Sequence, residues 1–200
     1  MVNKNELKKA INLMAEKWCK QNNILDRKTS FVYDVINLRQ LNDICKRVLK
    51  DREHRQYALH RWVNLQISEF CEEMFCKYGA EKVKNKKDKE KDIYIMGEGF
   101  DVKVTNYPIT AAEDFNLNSD EGKRDLITWF YNNQSKEGRE HYKNRLFVVC
   151  CGKNIREMWN VRTNLEMLEQ GIKYYMEDEF APTYYLEEFD CSAGVVVIKL

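Results

Sequence analysis

Hydrophobic positions recur along this chain in two periods. Over residues 6–22 they return every three or four residues, through Leu7, Ala10, Ile11, Met14 and Trp18. That spacing predicts an amphipathic helix, with Asn3 or Asn5 as its cap. Residues 29–36 alternate Phe31, Tyr33 and Val35, which predicts a short strand. Residues 37–50 return to helical spacing through Leu38, Leu41, Ile44, Cys45 and Leu49. The strongest helix covers residues 58–78, where Val63, Ile67, Phe70, Cys71, Met74 and Tyr78 form a stripe and Gly79 supplies the stop. Downstream, Ser119 or Asp120 caps a helix that runs to about Gln134. The run 146–151 is a buried strand, and 153–179 a long helical region that Asn160 or Gly171 bends or splits. Residues 184–189 and 194–200 read as strands, the last from its β-branched run VVVIKL.

Residues 92–108, DIYIMGEGFDVKVTNYP, are the stretch around which the rest is arranged. Two alternating runs flank a Gly-Glu-Gly turn, a hairpin signal. Ile93 and Ile95 share one face with Phe100, Val102 and Val104, and this face is expected to meet the core. The other face carries Asp92, Tyr94, Asp101, Lys103 and Thr105. Matching the apolar faces with Ile95 opposite Phe100 sets Asp92 opposite Lys103 and makes Asp92 and Asp101 diagonal neighbours, roughly 7–8 Å apart. Two carboxylates at that spacing suit a shared hard divalent cation, with a lysine beside it.

Asp92, eight residues, then Asp101-Val102-Lys103 resembles the PD-(D/E)xK nuclease motif. The position before Asp92 holds Lys91 where the motif has proline. The wider stretches 60–108 and 126–149 look like a group of small prokaryotic proteins with the restriction-endonuclease-like fold, so the likeness covers about half the chain. It implies an α/β (α+β) fold, a mixed sheet flanked by helices in the order α-β-β-β-α-β. Residues 58–200 would form this core, and residues 1–57 a helical segment for support or dimerisation.

The resemblance also implies metal-dependent hydrolysis of phosphodiester bonds. Asp92 and Asp101 would hold Mg²⁺, with Mn²⁺ substituting, and the Val102 carbonyl is a further ligand position. A glutamate from the preceding helix completes such sites, here Glu72 or Glu73, which sequence does not separate. Lys103 would orient water or offset charge on phosphorus. Phosphate contacts are expected from Lys84, Lys86 and Lys87 in the lysine-rich loop. They are also expected from Gln134, Arg139, Lys143 and Arg145 before the buried strand.

Composition narrows the alternatives. The hydrophobic share is 44% over 200 residues, enough for a core, and a net charge of +1 gives no global basic field, so nucleic-acid contact must be local. No apolar run reaches membrane-span length and no charged-then-apolar leader opens the chain, so a cytoplasmic protein without membrane partners is expected. Seven cysteines without C-x-x-C spacing fit free thiols in a reducing compartment. His54, His60 and His141 lie at no zinc-ligand spacing with them. DNA is the expected substrate, RNA is not set aside, and a homodimer is an open expectation. Three other readings stand beside the nuclease: an inactive nuclease-fold module that binds nucleic acid, a nucleotide- or sugar-phosphate hydrolase, and a helical interaction protein.

Overall fold

A computed structural model describes residues 2–14, 21–85, 88, 90–109, 111, 114–133, 143–178 and 183–199. The chain divides into two compact units, Met1–Phe70 and Cys71–Leu200. The division falls inside helix α4 (Arg52–Lys77), not at the expected boundary before residue 58.

The first unit is helical. In α1 (Lys4–Leu13) the Asn3 side chain accepts the N–H groups of Asn5 and Glu6, as an N-cap should. The helix expected over 6–22 stops early, and a second one, α2 (Asn23–Lys28), starts on an Asn22 cap. Trp18 and its neighbours 15–20 lie outside the described residues. The strand expected at 29–36 is instead a 3₁₀ turn, Ser30–Asp34. Burial explains this: Val32, Val35 and Leu38 are buried while Tyr33 and Ile36 are exposed. A spacing of three is the 3₁₀ period, and it outweighs the alternation of 31, 33 and 35. Helix α3 (Leu38–Val48) follows on an Asn37 cap.

The second unit holds a six-stranded mixed sheet flanked by helices, the α/β class expected. After the end of α4 come β1 (Glu81–Lys82), β2 (Ile93–Ile95), β3 (Glu98–Asn106), α5 (Asp120–Asn132) and β4 (Arg145–Cys150). Then follow α6 (Ile155–Thr163), α7 (Leu165–Glu177), β5 (Thr183–Leu186) and β6 (Cys191–Ile198). Spatial order is β1-β2-β3-β4-β6-β5. The β3/β4 and β4/β6 pairs are parallel; β1/β2, β2/β3 and β5/β6 are antiparallel. The parallel strands β3 and β4 are joined through α5, as a crossover requires.

Helix α5 packs Leu126, Ile127, Phe130 and Tyr131 against Phe147, Val149, Ala193 and Val195 on one sheet face. Helix α7 covers the other face. A Cβ at Gly171 would lie 2.1 Å from Ile198 Cδ1, so this glycine serves close packing and does not split the helix. The split comes at Asn164, which caps α7 by accepting the Met167 N–H. The sheet is therefore covered on both faces over β4 and β6, which is why 145–150 reads as an unbroken apolar run after its first residue.

The hairpin departs from expectation in register. Ile93 pairs with Phe100, Tyr94 with Gly99 and Ile95 with Glu98, so the turn is the two residues Met96-Gly97. Both take positive φ, 50° and 84°, the geometry of a tight hairpin turn. Glu98 and Gly99 thus join β3 instead of the turn. A displacement by two residues preserves which side chains face the core. It moves Asp92 from opposite Lys103 to opposite Asp101.

Candidate active site

Asp92 lies just before β2, and its backbone is held on both sides. Its N–H donates to Phe100 O at 2.8 Å, and its carbonyl accepts the Val83 N–H at 3.1 Å. Beyond this point β2 has ended, so the next β3 donor on that edge, the Val102 N–H, has no ladder partner. The Asp92 side chain supplies one: Oδ2 accepts the Val102 N–H at 2.8 Å. The carboxylate is thereby tied to the middle residue of the Asp101-Val102-Lys103 tripeptide. In a strand a residue's N–H and C=O point the same way, so the Val102 carbonyl shares this edge. Partial burial pushes the Asp92 carboxyl above its ordinary range; the Val102 N–H opposes that, and the neighbouring Asp101 charge adds to it. Lys103 and Lys143 pull in the opposite direction.

Asp101 is the centre of the cluster. Its pleat position puts it on the α5 face, in register with Arg145 of β4. It is buried, and a buried carboxylate must be matched. Three cations match it. Lys103 Nζ lies 3.1 Å and Lys143 Nζ 3.3 Å from Oδ1, and Arg145 Nε lies 3.2 Å from Oδ2. The Arg145 guanidinium also lies over the Tyr131 ring, 5.7 Å from its centroid. Tyr131 OH donates to the Lys143 carbonyl at 2.7 Å, fixing the segment that carries the lysine. Burial, then the contact with Cys191, pushes the Tyr131 phenol well above its ordinary range, so it stays protonated and able to donate.

Asn144 joins the strand ends beneath the cluster. Its carbonyl accepts the Asp101 N–H at 2.9 Å, its Oδ1 accepts the Ser192 N–H at 2.8 Å, and its Nδ2 donates to Glu98 Oε1 at 3.0 Å. Residues of β3 and β6 are thus tied to the residue just before β4, at one end of the parallel strands.

Of the residues expected to act together, Asp92, Asp101, Val102 and Lys103 are brought together. Lys143 and Arg145 join them, but as partners of Asp101. Arg145 in particular is the first residue of β4, with a side chain only 8% exposed, and its Nε lies against Asp101 where a phosphate contact was expected. Glu72 is held by Lys82 at 2.8 Å. Lys82 pairs with Ile93, which pairs with Phe100, so that ion pair belongs to the sheet face opposite Asp101. Neither Glu72 nor Glu73 completes a third acid: among the described residues no group of three or more His, Cys, Asp or Glu side chains is placed to hold a metal ion. Lys84 is exposed after β1. Lys86, Lys87, Gln134 and Arg139 lie outside the described residues.

Nothing in the local sequence pattern singles out Tyr131 or Asn144 for chemistry. Tyr131 reads as one more apolar position of α5, and only the tertiary fold turns its hydroxyl to Lys143. A cavity of about 850 Å³ lies at the other end of the parallel strands, lined by Tyr107, Phe115, Cys151, Lys153, Glu157 and Lys199 among others. Carboxyl ends of parallel strands are the usual place for a ligand. Here the Glu157 carboxylate accepts the Lys153 N–H at 2.9 Å, and the Glu157 N–H donates to Asn154 Oδ1 at 3.0 Å, which closes the α6 start on itself.

Among the described residues no helix is long and apolar enough to cross a membrane. The described cysteines Cys45, Cys71, Cys76, Cys150, Cys151 and Cys191 are all free thiols. No protein-family model, curated protein or solved structure matches the chain.

Proposed function

We propose that the Cys71–Leu200 unit is a divalent-metal-dependent nuclease that hydrolyses phosphodiester bonds in DNA. The observation that carries this reading is the Asp92 carboxylate bonded to the N–H of Val102, between Asp101 and Lys103. The order of elements, the end of α4 then β1, β2, β3, α5 and β4, supports the likeness to the PD-(D/E)xK superfamily.

The donor set fits a hard cation. Asp92 and Asp101 offer carboxylate oxygens and Val102 a carbonyl on the same edge. Mg²⁺ commonly takes one or two carboxylates and leaves its remaining positions to water and substrate phosphate, so a third acid is not required. Bound there, Mg²⁺ or Mn²⁺ would polarise the phosphate and acidify a water. The chain's own groups do the rest. Lys103, beside Asp101, orients the attacking water and offsets charge developing on the phosphoryl oxygens. Arg145 holds Asp101 Oδ2 and so fixes the direction of Oδ1. Free cysteines fit a reducing compartment, and we place the protein in the cytoplasm.

One observation favours a second reading, a module on the same fold that binds nucleic acid without cutting it. Asp101 is already matched by three cations. Incubation with supercoiled plasmid, single-stranded DNA, branched DNA and RNA, with and without Mg²⁺ or Mn²⁺, separates the two. Cleavage in the presence of metal supports the nuclease and identifies its substrate. Binding to these substrates without cleavage under any metal supports the module.

A further inference from the structure

Asp101 Oδ1, the oxygen a metal would take, is shared by two ammonium groups, Lys103 at 3.1 Å and Lys143 at 3.3 Å. Arg145 holds Oδ2, and the Lys103 and Lys143 charges act on Asp92 as well. Adding a divalent cation at Asp101 Oδ1, with every cation still in place, sets like charges a few ångströms apart in a partly buried site. That repulsion runs to roughly 4 kcal/mol per pair of unit charges at 4 Å and an effective dielectric of 20. Some cation must leave when a metal arrives.

Position decides which one leaves. Arg145 is in a strand, its side chain is 8% exposed, and it holds the other oxygen, Oδ2. Lys103 is two residues from Asp101 on the same strand and half-exposed at 49%, so its head group can shift without leaving the site. Lys143 precedes β4, competes with Lys103 for Oδ1 at 3.3 Å, and is 16% exposed. Its backbone is fixed by the Tyr131 hydroxyl, so a displaced Nζ stays within a side chain's length of the acids. A scissile phosphate would have to lie at that same place.

We infer that Lys143 is a metal-exchanged cation: it holds Asp101 Oδ1 while no divalent ion is bound and passes to a substrate phosphate when one is. This rests on the metal-dependent nuclease reading. Its consequence is that substrate affinity rises with metal occupancy, because the same lysine cannot serve the carboxylate and the phosphate together. Lys143 is then a binding residue whose availability depends on the metal.

The test uses the full chain and two readouts other than turnover. Mn²⁺ affinity is measured by titration calorimetry for wild type, Lys143→Gln, Lys143→Arg and Asp101→Asn. Removing the competing charge should tighten Mn²⁺ binding about ten-fold in Lys143→Gln, a change of about 1.4 kcal/mol. Lys143→Arg keeps the charge and should bind as wild type does. Salt dependence of duplex DNA binding is then measured in Ca²⁺ and in EDTA. Lys143→Gln should reduce the slope by about one in Ca²⁺ and leave it unchanged in EDTA. Equal Mn²⁺ affinity in wild type and Lys143→Gln overturns this inference, and so does a slope change that is the same in Ca²⁺ and EDTA. If wild type still binds Mn²⁺ and Asp101→Asn does not, the metal reading survives that result. Failure of both wild type and Lys143→Gln to bind Mn²⁺ overturns the two together.

Discussion

The Asp92 carboxylate accepts the Val102 N–H at 2.8 Å, and this one bond joins the two halves of the candidate site. The acid comes from the end of β2 and the amide from the tripeptide of β3. It does locally what a longer β2 would do for the sheet edge. A backbone donor is therefore what orders the acid without a metal.

Asp92 gives a stability signature in the metal-free protein. Its carboxyl titrates above its unfolded value of about 3.9, so the folded state binds the extra proton more readily. Stability from this group is complete below the unfolded value and is lost as pH rises through the folded one. Asp92→Asn keeps an oxygen for the Val102 N–H and removes the charge. It should be more stable than wild type at pH 7, with the two converging as pH falls below about 4, in chemical denaturation without metal. Saturating Mg²⁺ should reverse the order at pH 7, because the ion favours the ionised acid.

Arg145 should behave as a structural partner of Asp101. Arg145→Gln removes one of three matching cations from a buried carboxylate and leaves a polar gap beside Tyr131. A loss of about 1–3 kcal/mol in unfolding free energy is expected. The salt slope of DNA binding should stay at the wild-type value. A slope reduced by about one, with stability unchanged, would make Arg145 a phosphate contact instead.

Lys103 is half-exposed on the same face as Asp101, and the proposed nuclease reading gives it a role on substrate. Lys103→Ala should bind Mn²⁺ at least as tightly as wild type, since it removes a like charge from Asp101 Oδ1. Single-turnover cleavage should fall by about 10²-fold or more, the cost of one transition-state donor. Loss of metal binding with unchanged turnover of the loaded protein would contradict that role.

Glu72 and Glu73 test how many acids the site needs. Glu72 is engaged by Lys82 on the opposite sheet face, and among the described residues neither glutamate completes a three-acid group. Glu72→Gln and Glu73→Gln should each leave Mn²⁺ affinity within about 0.5 kcal/mol of wild type, the range of substitutions away from a site. A ten-fold loss in one of them would assign that residue as a ligand and place it at the metal.

Much of the site was legible because strand alternation is strict. Asp92, Asp101 and Lys103 share a pleat face whether the hairpin register is the expected one or the observed one, since the two differ by two residues. The register itself was not legible. It depends on Met96 taking positive φ in a two-residue turn, where Asn or Gly is the usual signal. The pairing of Arg145 with Asp101 depends on parallel register between strands far apart in sequence, which local pattern does not encode. The 3₁₀ turn at Ser30–Asp34 was hidden because Phe31, Tyr33 and Val35 alternate while burial follows Val32 and Val35. The helix glutamates looked equivalent, and only the pairing of Lys82 with Ile93 shows which face Glu72 serves.

The most direct test is single-turnover cleavage of duplex DNA at saturating Mn²⁺ by wild type, Asp101→Asn and Asp92→Asn, with folding checked by circular dichroism and DNA binding checked in Ca²⁺. The account predicts cleavage by wild type that EDTA abolishes. It also predicts a loss of at least about 10³-fold in both variants, with the fold intact, as for removal of groups that act as one unit. Metal-dependent cleavage that persists at the wild-type rate in Asp101→Asn would contradict it.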